Sequence, residues 1–431
     1  MKKIFCNKEI INSFWIISGK MTQILISLII SILTTRYLGV TNFGVISYAS
    51  AYIIFFMAFS TLGLNSIIVK EFIDNPDIEG EILGSSIVLR FVSSLFSIVV
   101  INMIVYILDY NENSTRIVVF LCSLSIIFQI FDSITYWFQA KYKSKIPAIA
   151  CLIGYIVSSI YKIILLILEK DVVWFALSTS VDYLIIAIFL ILFYKKFNGP
   201  KVSFNYKRAK NLINKSYHYI FSILMVAIYG QTDKFMIKQI LSEKEVAYYS
   251  VAIGVCMMWT FILQAIIDSI FPTIMNYYNI DYEKYKRKNI QLYQIVFYLS
   301  LIVSLFFTFF GKSFIILFYG ESYIESISIL KIITWYTAFS YLGVARNAWT
   351  VCENKQKYLK YIYSLAAILN IILNTYMIPS LGIKGAALSS LITNIATTIL
   401  FPLFIMELRP NVKLILDAIL LKNLKINNKE L

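Results

Sequence analysis

Histidine occurs once in the 431 residues, as His218, and the five cysteines, Cys6, Cys122, Cys151, Cys256 and Cys352, are scattered without a C-x-x-C. A multi-histidine metal site is excluded, and neither a zinc site nor a disulfide framework is supported. There is also no G-x-G-x-x-G, no Walker motif and no H-E-x-x-H, so ATP-driven transport by this chain alone has no motif to rest on. The one Asp-x-x-Asp, Asp74-Asn75-Pro76-Asp77, sits in an acidic loop and reads as solvated turn chemistry, not as a glycosyltransferase centre. Met1-Lys2-Lys3 resembles a signal n-region. Yet Lys20 interrupts the apolar run and no small-x-small cleavage site follows, so the first span is expected to be retained.

What is abundant is apolar surface: 59% of residues are hydrophobic and the mean hydropathy is +0.74. That composition belongs to a polytopic membrane protein. The formal charge of +15 could suggest nucleic acid. Here the basic residues sit in short loops between apolar spans, where the inside-positive bias puts them, so no nucleic-acid partner is expected.

Twelve candidate transmembrane helices follow from apolar runs of about 20 residues or more. They lie near 10–35, 44–68, 83–108, 116–138, 146–168, 172–194, 213–238, 247–272, 290–311, 327–351, 358–378 and 384–407. No stretch between them could hold a soluble domain. The longest gap, Lys195 to Leu212, is rich in lysine and contains Gly199-Pro200; a second charged gap runs from Thr273 to Asn289. The expected division is an N-terminal lobe over 1–200, a C-terminal lobe over 201–408 and a basic cytoplasmic tail over 409–431, with a short surface helix around Val412–Leu424. With the N-terminus inside, 26 of the 39 lysines and arginines fall in cytoplasmic segments, eight in outer loops and five within spans. Both termini are therefore expected in the cytoplasm.

An internal repeat supports the count. Leu38-Gly39-Val40-Thr41-Asn42-Phe43-Gly44-Val45-Ile46-Ser47-Tyr48-Ala49 joins helices 1 and 2. Leu241-Ser242-Glu243-Lys244-Glu245-Val246-Ala247-Tyr248-Tyr249-Ser250-Val251-Ala252 joins helices 7 and 8, with leucine, serine and alanine matching at one offset. Ala176-Leu177-Ser178 echoes Ala387-Leu388-Ser389. The fold class expected is an all-α polytopic membrane protein. Its twelve transmembrane helices would form two six-helix lobes related by a pseudo-two-fold along the membrane normal, with the site between them.

Charges inside the spans are the candidates for function. The cations are Lys20, Arg90, Lys162, Lys234 and Arg346, and the anions are Asp132, Asp182, Asp233 and Asp268. Each costs ~2.5–3.5 kcal/mol at mid-helix against ~0.3–0.6 returned by a Leu, Ile, Phe or Val, so such groups must face protein, water or ligand. The run Tyr229-Gly230-Gln231-Thr232-Asp233-Lys234 is the sharpest case. Asp233 and Lys234 are adjacent, point about 100° apart and cannot pair well with each other. Polar stripes run along helix 1 (Ser13, Lys20, Ser27, Thr34, with Gln23 and Ser31 between) and helix 4 (Ser125, Gln129, Asp132, Tyr136, Gln139). Shorter ones mark helix 6 (Ser178, Asp182) and helix 8 (Gln264, Asp268). Lys20 and Asp182 are placed near mid-bilayer. Lys162, Asp233 and Lys234 lie toward the outer side, and Arg90, Asp132, Asp268 and Arg346 toward the inner side. Cations at several depths could hand an anionic group such as a diphosphate across. The plainer readings are structural ion pairs for Arg90, Arg346, Asp132 and Asp268, and snorkelling for Lys162. Anchoring of the helix end by Arg36 and an interfacial place for His218 belong with them.

Arg36-Tyr37-Leu38-Gly39, Phe43-Gly44, Tyr48-Ala49, Gly63-Leu64 and Lys70-Glu71 together resemble the helix 1–2 signature of the oligosaccharide flippases. These are the O-antigen and capsule-unit (Wzx-type) flippases of the multidrug/oligosaccharidyl-lipid/polysaccharide exporter superfamily. Asp233-Lys234, Ile237, Tyr249, Ala252 and Tyr319-Gly320-Glu321-Ser322-Tyr323 add to the likeness, while Val40 departs from the proline many members carry. The resemblance implies two lobes around a cationic cavity. It implies flipping of an undecaprenyl-diphosphate-linked oligosaccharide across the cytoplasmic (inner) membrane, for surface polysaccharide such as lipopolysaccharide O-antigen or capsule. No cofactor and no catalytic residue are implied. Besides membrane lipid, the partners implied are the polysaccharide polymerase and chain-length machinery. Lys20, Arg36, Arg90, Lys162, Lys234 and Arg346 are the candidates for binding the anionic head group, and Asp132, Asp182, Asp233 and Asp268 those for ion coupling. An ion-coupled multidrug exporter of the same superfamily is the first alternative, kept open by the four aspartates. A membrane polysaccharide polymerase or ligase is the second; the short outer loops speak against it.

Overall fold

The computed structural model describes residues 8–421, with side chains from Gln23 onward except Ile24, Leu25, Ser66, His218 and Ser222. Lys20 and His218 are thus outside the described side chains. Among the described residues every regular element is a helix. A helix satisfies its own backbone groups where no water can reach them, which is what an apolar chain in lipid requires. The chain divides into two compact units, Met1–Gln231 and Thr232–Leu431.

In the first unit, α1 (Lys8–Ser60) runs for 53 residues, about 80 Å at ~1.5 Å per residue and more than twice a ~30 Å hydrocarbon core. It is two spans joined end to end. Gly39 breaks it with φ 69° and ψ 178°, a left-handed backbone that glycine adopts without a Cβ penalty. The second span stops at Ser60, and α2 (Asn65–Asp74) begins only after the turn through Thr61 and Leu64. Helix 2, expected unbroken over 44–68, is therefore interrupted. After α3 (Glu79–Leu108) the fourth span comes in pieces: α4 (Asn113–Ser123), α5 (Ser125–Phe128), a 3-10 turn at Gln129–Phe131, and α6 (Asp132–Ala140). Ser123 bonds back to the Phe120 carbonyl at 2.7 Å, the kind of local competition that loosens a helix. α7 (Lys145–Ile167), α8 (Val172–Lys196) and the first part of α9 (Tyr206–Ile240) complete the unit.

The second unit holds the rest of α9, then α10 (Glu243–Met257), α11 (Thr260–Ile280), α12 (Tyr282–Tyr319), α13 (Ser326–Cys352) and α14 (Leu359–Leu381). α15 (Ile383–Ile395) continues through a π turn at Ala396–Leu400 into α16 (Phe401–Phe404), and α17 (Arg409–Ile419) follows. Among the described residues ten helices are long and apolar enough to cross a membrane. The pair α10 and α11, bent by 41°, makes an eleventh. The break at Gly39 falls within the segment counted as Ile26–Ser60. The repeated small residues are packing positions in each unit: Ala49, Ala252, Ala176 and Ala387 are all fully buried, and so are Ser178 and Ser389. Small residues at such positions let helices approach closely in lipid, where apolar burial gives helices little reason to associate.

Two expectations change. α17 is not a surface helix free of the bundle. Asn411, Val412, Ile415 and Ala418 are buried, Asn411 donates to the Tyr293 hydroxyl at 2.7 Å, and Tyr298 donates to the Ile419 carbonyl at 2.7 Å. The amphipathic pattern that suggested a membrane surface is met by α12 instead. Second, the unit boundary falls inside α9, not at 200/201, because the segment after α8 packs on α3. Ser203 N–H donates to the Gly80 carbonyl at 3.1 Å, Ser85 donates to the Asn205 carbonyl at 3.1 Å, and Asn205 Nδ2 donates to Glu81 at 2.8 Å. Lys215 pairs with Glu71, and Leu212 joins the core of Leu64, Ile68, Phe72, Ile82 and Trp137. The close approach needs glycine: a Cβ at Gly80 would stand 2.1 Å from the Lys201 carbonyl oxygen, and one at Gly84 2.2 Å from that of Ser203. Gly84→Val is expected to lift the segment off α3, at ~1–3 kcal/mol for overpacking. Limited trypsin cleavage after Lys201 and Lys207 should then be about tenfold faster than in the wild type.

Candidate functional site

The first unit disposes of its described intramembrane charges in two groups. Arg90 on α3 is 2% exposed. Its Nη2 donates to Asn65 Oδ1 at 2.6 Å and its guanidinium lies 5.5 Å from the Tyr136 ring centre, while Asp132 acts on it only through space. Asn65 opens α2, so the break after Ser60 is what brings this acceptor to the arginine. Lys162 on α7 and Asp182 on α8 form an ion pair at 2.7 Å, and Ser158 donates to the same carboxylate. The sequence placed these two at different depths. The lysine stem spans the difference, and the outward snorkel gives way to the pair. Arg36, beside the Gly39 break, is exposed.

The second unit holds the most completely bonded charge. Asp233 on α9 is 5% exposed. Its Oδ1 accepts from Asn370 at 3.1 Å and from Asn374 at 2.7 Å, both on α14. Its Oδ2 accepts from the Tyr249 hydroxyl on α10 and the Ser390 hydroxyl on α15. Three helices thus supply four neutral donors, about the full capacity of a carboxylate. None of the four brings a positive charge, so the negative charge is solvated but not neutralised. Asn374 Oδ1, buried beside it, has no hydrogen-bond partner.

Lys234 follows directly, and the helical step turns it away from that cage. It is half-buried and makes no hydrogen bond or ion pair among the described residues; its electrostatic neighbour is Asp233 itself. Asp268 on α11 is exposed and accepts from Gln264 at 2.8 Å. Arg346 on α13 is 1% exposed and donates to the Thr397 carbonyl at 3.0 Å. Within the first unit the structure joins Lys162 to Asp182; within the second, no ion pair links Lys234, Asp268 and Arg346 among the described residues.

The sequence reading missed Asn65, Asn370, Asn374 and Ser390 as site residues, and it met Tyr249 only in the internal repeat and the family motif. One signal was available: Asn370 and Asn374 stand four apart, on one face of a mostly apolar helix. No group of three or more His, Cys, Asp or Glu that could hold a metal occurs among the described residues. Two carboxylate oxygens, two hydroxyls and a free amide oxygen suit a proton or a hard monovalent cation better than a transition metal.

Comparison with known proteins bears on the family and the fold. The family model described as "Polysaccharide biosynthesis protein" matches residues 10–278. No curated protein matches the chain in sequence. Among solved structures, an inward-facing multidrug resistance MATE family transporter of the MOP superfamily superposes with TM-score 0.71 at 16% identity, over 92% of this chain and 96% of that one. The lipid II flippase MurJ in an inward closed conformation gives TM-score 0.69 at 15% identity, over 95% and 91%. A MOP superfamily transporter from Pyrococcus furiosus, described as having a binding pocket of reversed polarity, gives 0.64 at 14%, over 94% and 96%. The fold is that of MOP superfamily transporters.

Proposed function

We propose, given that the chain belongs to the polysaccharide biosynthesis protein family, that it is a lipid-linked oligosaccharide flippase. It carries an undecaprenyl-diphosphate-linked oligosaccharide from the cytoplasmic to the outer leaflet of the cytoplasmic (inner) membrane, with both termini cytoplasmic, and delivers it to a polysaccharide polymerase and its chain-length machinery. The observation that carries the reading is Lys234, a cation within a span that makes no hydrogen bond or ion pair among the described residues. Such a group calls for an anion, and a diphosphate meets it with charge-assisted hydrogen bonds. Asp233, saturated by neutral donors next to the unpartnered Asn374 Oδ1, is the coupling site. A proton or a sodium ion there biases the transport cycle through its different affinity for two states.

Lys234→Ala removes a charge-assisted bond of ~1.5–3 kcal/mol. Surface polysaccharide at matched expression should fall about tenfold or more, with Lys234→Arg retaining part of it. Full polymer in Lys234→Ala cells would remove this reading. A multidrug exporter remains the second reading, supported by the fold shared with a MATE transporter and by the exposed carboxylate of Asp268. Loss of polymer on deletion, with no change in drug resistance, eliminates it. A polymerase or ligase role requires the purified protein to form glycosidic bonds from lipid-linked units.

A further inference from the structure

The π turn in the last span has a fully buried arginine bonded to it, and the reason lies in the backbone. Phe401 N–H donates to the Ala396 carbonyl, five residues back, instead of to Thr397. The next residue is Pro402, which has no N–H to give. The Thr397 carbonyl is therefore without a backbone donor in either helical register, inside a buried segment where an unmet carbonyl is costly. Arg346 Nη1, reaching from α13, donates to it at 3.0 Å. Thr398 Oγ1 donates back to the Phe339 carbonyl at 2.8 Å, a second tie from the turn to α13.

This turn shares a helix face with the carboxylate cage. Ser390, which donates to Asp233, lies seven residues before Thr397 and so two turns along the same face. Asn394 stands between them and donates to the Ser390 carbonyl at 2.8 Å. Closing the π turn to an α turn rotates one side of it against the other by about 100°, and Ser390 cannot then keep its place if the downstream half stays fixed.

We infer that Arg346 is a positioning residue. Its guanidinium supplies the donor that Pro402 denies Thr397, and by holding the π turn it sets the register that keeps Ser390 on Asp233. This rests on the coupling role proposed for Asp233. It gives Arg346 a task within the helix bundle in place of head-group binding, consistent with its complete burial.

The experiment uses the full chain purified in detergent micelles. The readout is the shift of the thermal unfolding midpoint, on titrating NaCl against choline chloride and on titrating pH. The titratable neighbours of Asp233 are Lys234, Tyr249 on α10 and Tyr336 on α13; those of Arg346 are Tyr293 on α12 and Tyr363 on α14. The wild type is expected to respond to sodium or to protons, and Asp233→Asn to lose that response. Arg346→Met should need about 10–100-fold more of the cation for half effect, as when a supporting residue around a metal ligand is removed. Arg346→Lys should retain most of the response. Arg346→Met combined with Pro402→Ala is the decisive variant, because residue 402 then carries an N–H one π turn on from Thr397. Recovery in the double variant supports the positioning role, including recovery of folded yield should Arg346→Met alone fail to fold. A wild-type response in Arg346→Met, or a double variant no better than the single, overturns it while leaving Asp233 in place. A response that survives Asp233→Asn overturns the coupling reading and this inference together.

Discussion

Asp233→Asn is expected to fold as the wild type does and to lose gradient-driven transport. Four donors converge on the wild-type carboxylate, from Tyr249, Asn370, Asn374 and Ser390, and all four residues are buried. Asparagine keeps one oxygen for the two amide donors of α14. The hydroxyls of Tyr249 and Ser390 can each rotate to accept from its amide nitrogen, since a hydroxyl both donates and accepts. Stability should therefore stay within ~1 kcal/mol of the wild type, because the uncompensated buried charge is also gone. Asp233→Ala is the harsher change. It strands buried donors at about 1–3 kcal/mol each. Partial regrouping is open to them, as Asn374 already touches Asn370 at 3.1 Å and Tyr249 touches Ser390 at 3.4 Å. A net loss of roughly 3–6 kcal/mol is expected in micelle unfolding. The contrast is the measurement: an Asn variant as stable as the wild type but unresponsive to a proton or sodium gradient in vesicles isolates the charge. An Asn variant with full coupled transport removes Asp233 from the mechanism.

The sequence made the price of Asp233 legible but not its partners. A charge in an apolar run is visible locally, since the insertion cost belongs to the residue itself. What satisfies it lies 16 residues away in Tyr249 and 137 to 157 away in Asn370, Asn374 and Ser390, and only packing brings these together. The spans were legible for the same local reason, as apolar runs of sufficient length. Their interruptions were not. The turn after Ser60 and the irregular fourth span lie inside apolar runs long enough to read as single helices, and the π turn at Ala396–Leu400 is betrayed only by Pro402. These breaks matter to the placing of buried charges out of proportion to their length. One delivers Asn65 to Arg90, and another exposes a carbonyl to Arg346. Depth counted along each helix set Lys162 and Asp182 apart, because such a count leaves out the reach of a lysine stem.

That pair sets the second large expectation. Asp182→Leu should destabilise the protein by about 2–3 kcal/mol, and Lys162→Met by a similar amount, because each leaves its partner charged and unmet. Fully buried pairs lose ~3–5 kcal/mol in this way; here 22% of the lysine side chain and 16% of the aspartate are exposed, so water screens part of the loss. Lys162→Met with Asp182→Leu removes both charges and should recover to within ~1 kcal/mol of the wild type, since apolar groups of similar size often replace a buried pair without loss. Ser158 then loses its acceptor, but a serine in a helix can turn to its own backbone carbonyls. Activity separates structure from mechanism. Both carboxylate oxygens of Asp182 are engaged, by Ser158 and Lys162, so neither charge is free for a ligand and surface polysaccharide should follow stability across the three variants. A double variant that is stable yet makes no polymer would instead put the pair in the transport cycle, with Lys162 released to the head group when Asp182 takes up a proton or an ion.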